Sequence, residues 1–482
     1  MYYHLLTGAT GLLGQYLLYD AVEQDLPLAV LARPNRFASA WQRIDDALVR
    51  WEKLLGRSLP RPVVLEGDIG HPNLGLGDEQ LSWVRDHCHS VIHNAASLSF
   101  IAESDQDEPY RTNVDGTRHL IDFCRTTGIR QFHHVSTAYI CGLRKDRILE
   151  TETNVGQQLG NDYERSKLQA EQMVAASSDF DRVTVYRPGI IIGDSRTGFT
   201  STYHGFYVPL KVATAIAPPE DVTETIDAAE LLQFFGMTLS DRKNFVPVDW
   251  VSKSMMHIIA RPQWHGRCYH LTPSRATTLS DMLAVMKDYL KPKKQASAAA
   301  EPSIEHLVSS LESQMQTYKA YWRDDPEFDR THTLEACHSI PCPEVDQAML
   351  RRMCEFAVKH GFGWPKPPMN LTKNRIDTYF ASAKTFPGHS SPVEVVNLNV
   401  SGCGGGQWHI ELNDENLVQW GEGFSTQASG EVYLNSHTLT LMANQSISTE
   451  SAIRDGKVIA KGGANGAMIE RLTQHLKSPI SQ

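Results

Sequence analysis

Short apolar runs alternate with amphipathic segments through the first half of the chain. Residues 2–6 and Leu28–Ala32 are the first two runs, and the stretch between them repeats Leu and Tyr at helical spacing. Further strand-like runs are 63–65, 91–93, 132–135 and 183–186, and helical stretches include 113–126 and 162–176. Strands and helices in strict alternation predict an α/β fold, a Rossmann-type doubly wound parallel sheet with helices on both faces.

One long amphipathic helix stands out after the second predicted strand. Trp41, Ile44, Leu48, Trp51 and Leu55 fall at intervals of three or four residues, which places them on one helical face. We expect both tryptophans of this helix to lie in the core.

The pattern changes in the second half. Residues 291–302 (KPKKQASAAAEP) and 381–392 (ASAKTFPGHSSP) are rich in Lys, Ala, Ser and Pro, which is typical of linkers. Beyond them, apolar and polar residues alternate around Trp408 and Val432, as in half-buried strands, and a helix follows near the end. We therefore divide the chain into a first domain over 1–290, with its substrate-binding part mainly at 190–290, a linker and helical extension over 291–380, and a separate α+β domain over 391–482.

Composition narrows the classes of function. The 482 residues carry 46 basic and 56 acidic side chains, a net charge of −10, and no long basic run, so nucleic acid is not an expected partner. The eight cysteines form no CxxC pair, and no metal site is predicted. No window has the roughly 18 apolar residues of a membrane span, and the N-terminus lacks the features of a signal peptide, so we expect a cytoplasmic protein.

A glycine-rich segment, residues 7–14 (TGATGLLG), lies between the first predicted strand and helix. Glycines allow a tight turn, and the exposed amides at the start of the helix can bind a dinucleotide pyrophosphate. The predicted cofactor-binding residues of this turn are Gly8, Thr10, Gly11, Leu12, Leu13 and Gly14.

Two arginines follow the second predicted strand. NAD-binding proteins often carry an acidic residue at this point, where it binds the ribose hydroxyls. Here Arg33 and Arg36 occupy the segment, and guanidinium groups can hold a 2′-phosphate that a carboxylate would repel. We therefore predict NADP(H) as cofactor, the alternative being that both arginines are merely solvated.

The ends of the next two strands offer further contacts with a cofactor. Asp68 and Ile69 could lie beside the adenine, although Asp68 could equally be a turn residue. Asn94, Ala95 and Ala96 provide the small side chains that a backbone close to a cofactor needs. We interpret the preceding His93 as structural.

The catalytic candidates are Tyr163 and Lys167. Four residues apart on a predicted helix, they share one face. A nearby ammonium, together with an oxidised nicotinamide, would lower the pKa of the phenol from its usual value of about 10. Tyr163 could then give a proton to a carbonyl oxygen as hydride reaches the carbon. The alternative is an ordinary surface helix.

Two more polar residues could assist. Thr137 follows the fifth predicted strand and could bond the same carbonyl oxygen, with Ser136 as the competing candidate. Asn113 could order a water molecule or the helix that carries Lys167, or it could be an ordinary helix residue. Residues 200–209 (TSTYHGFYVP) are expected to border the substrate.

Together these motifs resemble an extended short-chain dehydrogenase/reductase. The resemblance rests on TGATGLLG, HNAA, NVDGT, VSTA, YERSK and RPG, in order over some 190 residues. It implies Thr137, Tyr163 and Lys167 as the catalytic set and Gly8, Gly11 and Gly14 as the phosphate turn. We also place Pro188 and Ile190 at the cofactor.

A narrower resemblance lies in residues 186–198 (YRPGIIIGDSRTG). This segment is similar to fatty acyl-CoA reductases and to the terminal thioester reductase domains of carrier-protein assembly lines. Those enzymes reduce acyl thioesters with NADPH. The resemblance extends over about residues 1–290, with a possible extension to 375.

The tail resembles a second family. GQWHI at 406–410, GEVYL at 430–434 and DGKVIAKG at 455–462 are similar to a sterol-carrier-protein-like domain, an α+β fold with an apolar lipid cavity. The resemblance implies a bound lipid; the alternative is a small packing or dimerisation domain.

The leading hypothesis is an NADPH-dependent reductase that converts a lipophilic acyl thioester, of acyl-CoA or carrier-protein type, to an aldehyde or alcohol. Three alternatives remain at this point: an NADP(H)-dependent ketone or hydroxyl oxidoreductase of a sterol, terpenoid or other lipid, a nucleotide-sugar epimerase or dehydratase, and a non-catalytic nucleotide- or lipid-binding protein. The oligomeric state is not predicted.

Overall fold

The computed structural model describes residues 2–35, 38–216, 237–286, 321, 323–362, 393–401, 406–413, 417–454 and 457–476. Arg36 and both predicted linkers, 291–302 and 381–392, lie outside these residues. No helix among the described ranges is both long and apolar enough to cross a lipid bilayer.

Seven parallel strands form the first sheet. Its order, β10-β6-β5-β4-β1-β2-β3, places β1 and β4 side by side at the centre, where the direction of the connections reverses. This confirms the predicted doubly wound sheet, in which ligands bind at such a switch point. The strands are β1 (Tyr3–Thr7), β2 (Leu28–Ala32), β3 (Val63–Glu66), β4 (Cys88–His93), β5 (Gln131–Val135), β6 (Arg182–Pro188) and β10 (Cys268–Leu271).

Helices cover both faces of this sheet. Val30 and Ile92 pack into one apolar core with α1 and α2, and Leu31 and Val91 pack into another on the opposite face. The strands are covered by helices on both faces and carry apolar side chains on both, so a core forms on each face of the sheet. The helices are α1 (Leu12–Glu23), α2 (Ala40–Leu55), α3 (Asp78–His87), α4 (Gly116–Thr127), α5 (Asp162–Ala176) and α7 (Val248–Ile259).

One prediction for these helices was confirmed and another was wrong in part. The predicted helical stretch 113–126 is helical throughout, as a π-type turn, Arg111–Asp115, followed by α4 from Gly116. Trp51 is buried as predicted, whereas Trp41 is half-buried and stacks on Tyr433, with ring centroids 6.0 Å apart. Trp41 lies at the first turn of α2, where the helix meets the second sheet described below.

Small strands and helices form a layer beside the carboxyl end of the first sheet. Its core includes Phe206, Phe245, Met282 and Met353. The segments are β7 (Ile190–Ile192), α6 (Tyr207–Ile216), β8 (Arg242–Lys243), β9 (Phe245–Pro247), β11 (Thr277–Thr278), α8 (Leu279–Met286) and, after α9 (Thr331–Ala336), which packs against β10, α10 (Gln347–Lys359).

A second sheet of five strands lies in the C-terminal part. Its order is β14-β13-β12-β15-β16, and its core, which contains Leu398, Trp408, Ile410 and Leu472, is made by this sheet and its own helices. The mixture of strands and helices matches the α+β pattern predicted there, while the sterol-carrier resemblance stays a prediction. The segments are β12 (Glu394–Ser401), β13 (Gly406–Leu412), β14 (Leu417–Glu422), β15 (Gly430–Asn435), α11 (Ser436–Ala443), α12 (Thr449–Arg454), β16 (Val458–Gly462) and α13 (Gly466–His475).

Candidate active site

The glycine-rich turn joins β1 to α1 at the centre of the sheet. Gly8 has φ +72°, a left-handed conformation, and a Cβ there would lie 2.7 Å from the Ala95 amide nitrogen. A Cβ on Gly14 would lie 2.0 Å from the Gly8 carbonyl oxygen, so Gly14 lets α1 pack directly on the turn. Gly11 caps α1 without a side chain, which leaves the first helical amides open to a ligand.

The end of β4 fixes this turn from the other side. The Asn94 side-chain amide donates to the Gly8 carbonyl over 3.1 Å. The Asn94 and Ala95 backbone amides both donate to the Thr7 hydroxyl, over 3.2 and 3.1 Å. Consecutive residues at the ends of β1 and β4 are therefore tied together at the switch point.

A cavity of about 530 Å³ runs from this turn along the carboxyl ends of the strands. Gly14 and Asn113 lie behind its wall rather than on it. The predicted site residues that line it are Gly8, Thr10, Gly11, Leu12, Leu13, Arg33, Asp68, Ile69, Asn94, Ala95, Ala96, Thr137, Tyr163, Lys167, Pro188 and Ile190. Of the predicted substrate border, Thr202, His204 and Gly205 also line it.

Positive charge gathers at one end of the cavity. Arg43, in the first turn of α2, donates to the Thr10 hydroxyl over 2.9 Å and to the Arg33 carbonyl. Desolvation lowers the pKa of Arg43, and the neighbouring Arg33 guanidinium lowers it further, because two cations lie close together. An anion between them would relieve this repulsion. Sequence reasoning missed Arg43. The only signal for it was its place two residues after Trp41 on the predicted amphipathic helix.

Asp68 partly balances this charge. Its carboxylate accepts from the Gly70 amide over 2.9 Å and from Arg33 over 3.2 Å. Burial would raise the pKa of Asp68, but these two contacts lower it below its usual value. The Gly70 contact matches the turn role that was one of the two interpretations; a contact with adenine stays a prediction.

Tyr163 and Thr137 face each other in the middle of the cavity. Thr137 ends the connection after β5 and lines the same cavity as Tyr163. Desolvation raises the pKa of Tyr163 well above its usual value, and interaction with the Thr137 side chain lowers it by less. The groups of the protein alone therefore do not lower the pKa of Tyr163 as expected. They keep its phenol protonated. Ser136 also lines the cavity, but its buried hydroxyl has no hydrogen-bond partner among the residues that the structure describes.

Lys167 lies one helical turn after Tyr163, as the spacing predicts. Its ammonium is buried and donates to the Val135 carbonyl oxygen over 2.6 Å. Desolvation lowers the pKa of Lys167 to about 8, against an opposing effect of Glu171. The ammonium is therefore protonated at neutral pH but sensitive to mildly basic conditions.

Asn113 contacts α5, the helix that carries Tyr163 and Lys167, from behind. Its side chain accepts from the Ser97 amide over 2.8 Å and donates to the Ser166 hydroxyl over 2.9 Å. Ser166 in turn donates to the Tyr163 carbonyl oxygen over 2.9 Å. Of its predicted roles, the structure shows the contact with the helix that carries Lys167.

Aromatic residues that sequence reasoning missed complete the far end. The Phe100 ring lies 5.7 Å from that of Tyr163 and 5.5 Å from that of Tyr321. The Tyr321 hydroxyl hydrogen-bonds Asn161 and Glu164 at the start of α5. Tyr321 belongs to the region assigned as linker and extension, and no motif links it to the site.

The GDSRTG segment lies away from this cavity. Asp194 is buried and accepts from the Tyr16 hydroxyl over 3.0 Å and from the amides of Arg196 and Thr197. Ser195 donates to Asp249 at the start of α7. The motif therefore builds a loop that connects α1 with α7.

The site fits a nicotinamide dinucleotide. The uncapped start of α1 and the glycine turn that no side chain fills suit a pyrophosphate, and the two arginines add positive charge beside it. Tyr163, Thr137 and Lys167 lie in the same cavity, where a nicotinamide would be bound. Sheet and site together define an extended short-chain dehydrogenase/reductase, a class of nicotinamide-dependent oxidoreductases.

Comparison with family models specifies the family. Residues 6–255 match the Male sterility protein family of NAD-binding domains, and the chain belongs to this family. The match covers the glycine turn, the catalytic helix and the GDSRTG loop, so the resemblance to extended short-chain dehydrogenases/reductases is confirmed.

Curated relatives and solved structures agree with this assignment. A nonribosomal peptide synthetase of Aspergillus hancockii, hkm10, is 24% identical over 389 residues, which are 74% of this chain and 36% of that protein. The aldehyde reductase lnbA of Aspergillus flavus is 25% identical over 295 residues, 58% of this chain and 27% of that protein. The chain thus spans about a third of the length of these relatives.

Among solved structures, the terminal R domain from the myxalamid PKS-NRPS biosynthetic pathway is 26% identical, with a TM-score of 0.60. The alignment covers 76% of this chain and 92% of that one. The reductase domain of a nonribosomal peptide synthetase from Mycobacterium tuberculosis has a TM-score of 0.52 at 20% identity, with 75% and 92% covered, and shares the fold.

Proposed function

We propose that this chain is an NADPH-dependent reductase of a lipophilic acyl thioester. The observation that carries the proposal is the set of Tyr163, Thr137 and Lys167 in one cavity with the dinucleotide turn. The similarity to the terminal R domain supports the thioester as substrate. The reaction converts R–CO–SR′, NADPH and a proton into R–CHO, HS–R′ and NADP⁺.

NADPH is favoured over NADH by charge. Arg33 and Arg43 lie on either side of the cavity end next to Thr10, and both guanidinium groups could contact a 2′-phosphate. No acidic side chain takes the place of Arg33 after β2, which is where an NAD-binding site often has one.

The protein groups have distinct roles in this reaction. The cofactor, when bound, supplies hydride to the carbonyl carbon. Thr137 and Tyr163 donate hydrogen bonds to the carbonyl oxygen, and the raised pKa of Tyr163 keeps its proton available for the oxyanion that forms there. Lys167, positively charged at neutral pH, stabilises the phenolate left on Tyr163. The resulting hemithioacetal collapses to aldehyde and thiol.

The acyl group is proposed to arrive on a carrier protein or on coenzyme A. A thiolation-reductase di-domain from an archaeal nonribosomal peptide synthetase shares this fold, with a TM-score of 0.55 at 20% identity. Phe100 and Tyr321 provide apolar surface beside Tyr163, which suits a lipophilic acyl chain.

The purified chain should be mixed with NADPH and octanoyl thioesters of coenzyme A, of a carrier protein and of a short pantetheine mimic. We expect NADPH oxidation together with octanal, trapped as a hydrazone, or with octanol after a second reduction. Octanal and medium-chain ketones test reduction of free carbonyl compounds, and a nucleotide sugar tests the epimerase alternative, which would consume no NADPH. Turnover of carbonyl compounds alone would contradict the thioester proposal.

Tyr163→Phe should lower kcat by roughly 10²- to 10⁴-fold, the usual contribution of a general acid, with little change in NADPH affinity. Tyr19→Phe is the matched control, because Tyr19 stacks on Trp51 outside the cavity. Near-normal turnover of Tyr163→Phe would exclude Tyr163 as the acid.

The C-terminal sheet is proposed to hold or deliver a lipid. The support is the α+β pattern and the sequence resemblance stated above. Native mass spectrometry of the intact chain should detect a copurifying lipid, and deletion of 391–482 should lower activity on long-chain substrates. Unchanged kinetics on such substrates would exclude the delivery role.

A further inference from the structure

One buried histidine connects the two halves of the site. His93 ends β4 and is 1% exposed. Its Nδ1 lies 2.9 Å from the Thr7 hydroxyl, and its Nε2 lies 3.0 Å from the Thr117 hydroxyl. Thr7 immediately precedes the glycine turn, and Thr117 is in the first turn of α4, so the imidazole bridges a cofactor-binding segment and the helix behind the catalytic residues.

The surrounding hydrogen bonds determine where the proton of His93 lies. The Thr7 hydroxyl already accepts from the Asn94 and Ala95 amides. A hydroxyl has two lone pairs and one proton, so its proton must be donated to Nδ1 of His93. A neutral imidazole then carries its proton on Nε2, which donates to Thr117.

The hydrogen bonds beyond Thr117 keep the same direction from donor to acceptor. Its hydroxyl donates to the Asn113 carbonyl oxygen over 2.6 Å, within the π-type turn. The Asn113 side chain donates to Ser166, and Ser166 donates to the Tyr163 carbonyl oxygen, over 2.9 Å each. The Asn113 side-chain amide gives its second proton to the Ser97 carbonyl oxygen over 3.1 Å, so no proton in the series lacks an acceptor. The series runs from the cofactor turn to the backbone of Tyr163.

The charge state of His93 fits this arrangement. Burial, together with a smaller effect of the Lys167 ammonium, lowers the pKa of His93 to about 3. The imidazole is therefore neutral at physiological pH and has no need of a counter-ion. If His93 were protonated, its Nδ1–H would point at the proton of the Thr7 hydroxyl. Two donors would then face each other, and the series of hydrogen bonds would be broken at this contact.

We propose that His93 is a positioning residue whose single Nε2–H tautomer holds the cofactor turn at Thr7 in register with the helix that carries Tyr163. It touches neither cofactor nor substrate, since the cavity is lined by Thr7 and Asn94 but not by His93. The kinetic part of its test rests on the proposed reductase function, whereas the tautomer does not.

The tautomer is measured by long-range ¹H–¹⁵N NMR of the full chain with ¹⁵N-labelled histidine, with His93 assigned by its loss in His93→Gln. We expect an unprotonated Nδ1 and a protonated Nε2 that persist from pH 8 to pH 5. A proton on Nδ1, or titration of His93 near pH 6.5, would overturn the proposal even if the reductase reaction were correct.

Two conservative variants each keep one half of the bridge. An Asn side chain can place its oxygen near the position of Nδ1, and a Gln side chain can place its amide near that of Nε2. His93→Asn should keep the NADPH dissociation constant within about threefold and lower kcat roughly 10- to 100-fold, as misplacement of a catalytic group does. His93→Gln should show the reverse, a raised dissociation constant with kcat less affected.

His133→Gln is the matched control. His133 is a buried histidine on the neighbouring strand that bonds the Tyr186 hydroxyl over 3.0 Å and does not contact the cavity. It should lose thermal stability with both constants within about twofold of those of the unaltered chain. Equal changes in both constants for His93→Asn and His93→Gln, or no change in either, would mean that His93 only fills space, and would overturn the proposal.

Discussion

The two ends of the cavity are built in different ways. At the nucleotide end, backbone geometry dominates: the turn at Gly8, the uncapped start of α1 and the amides of Asn94 and Ala95 lie at two adjacent strand ends. The catalytic end is assembled from side chains that are far apart in sequence, from Phe100 to Tyr321. The nucleotide end is therefore visible in local sequence motifs, whereas much of the catalytic end depends on tertiary packing.

The largest effect is expected at the nucleotide end, from Gly14→Ala. Alanine normally stabilises a helix relative to glycine, but here its Cβ would lie 2.0 Å from the Gly8 carbonyl oxygen. We expect the NADPH dissociation constant to rise by about 100-fold or more, the effect of displacing a bound group by about 1 Å. Fluorescence titration measures it. Gly77→Ala, with open space around its Cβ, is the control; unchanged affinity in Gly14→Ala would contradict the close packing.

Removal of both cations tests whether the nucleotide end also selects its cofactor by charge. Arg33→Ala combined with Arg43→Ala should weaken NADPH binding by roughly 10- to 100-fold, as expected for lost hydrogen bonds to a charged group, and leave NADH binding nearly unchanged. Arg57→Ala removes an exposed arginine paired with Glu23 and serves as control. An equal loss of affinity for NADPH and NADH would mean that the arginines do not bind the 2′-phosphate.

The pH dependence of kcat should come from the catalytic end and not from the nucleotide turn. The pKa of Lys167 is about 8, so its ammonium loses a proton as pH rises through that value. We expect kcat to be constant below pH 8 and to fall about tenfold per unit above it. In Lys167→Arg, which stays protonated, any remaining activity should lack this basic limb. If Lys167→Arg showed the same fall in kcat above pH 8, the fall would have to come from the titration of another group.

The smallest effect is expected from Tyr321→Ala, because Tyr321 borders the substrate side without joining the chemistry. KM for a long-chain thioester should rise about three- to tenfold, with the NADPH dissociation constant unchanged, since an aromatic contact contributes about 0.5 to 1.5 kcal/mol. Tyr321→Phe, which keeps the ring, should change KM less. A larger effect on NADPH than on thioester would contradict the division between the two ends.

Sequence reasoning predicted the parts of the molecule that depend on neighbours in the chain. The strand Leu28–Ala32 and the helix Asp162–Ala176 have the predicted bounds, and the glycine turn lies between the first strand and the first helix, as predicted. Thr137 rather than Ser136 contacts Tyr163, as the motif favoured.

The remaining features depend on contacts that periodicity does not encode. Arg43 reaches Thr10 only because α2 packs beside the turn, and Tyr321 reaches α5 through a segment with no motif. Trp41 has the spacing of a core residue, but it lies at the helix end that faces Tyr433. The burial that raises the pKa of Tyr163 is likewise absent from the spacing, and the lowering expected with an oxidised cofactor stays a prediction.

The loop around Asp194 has a consequence for how the molecule would respond to damage. Its carboxylate ties Tyr16 in α1 to a loop that Ser195 fixes to α7, and none of these groups borders the cavity. GDSRTG therefore acts as a joint between two helices. Damage to this joint would be felt as a loss of folding, whereas the loss of Tyr163 would leave the joint intact and remove only the proposed chemistry.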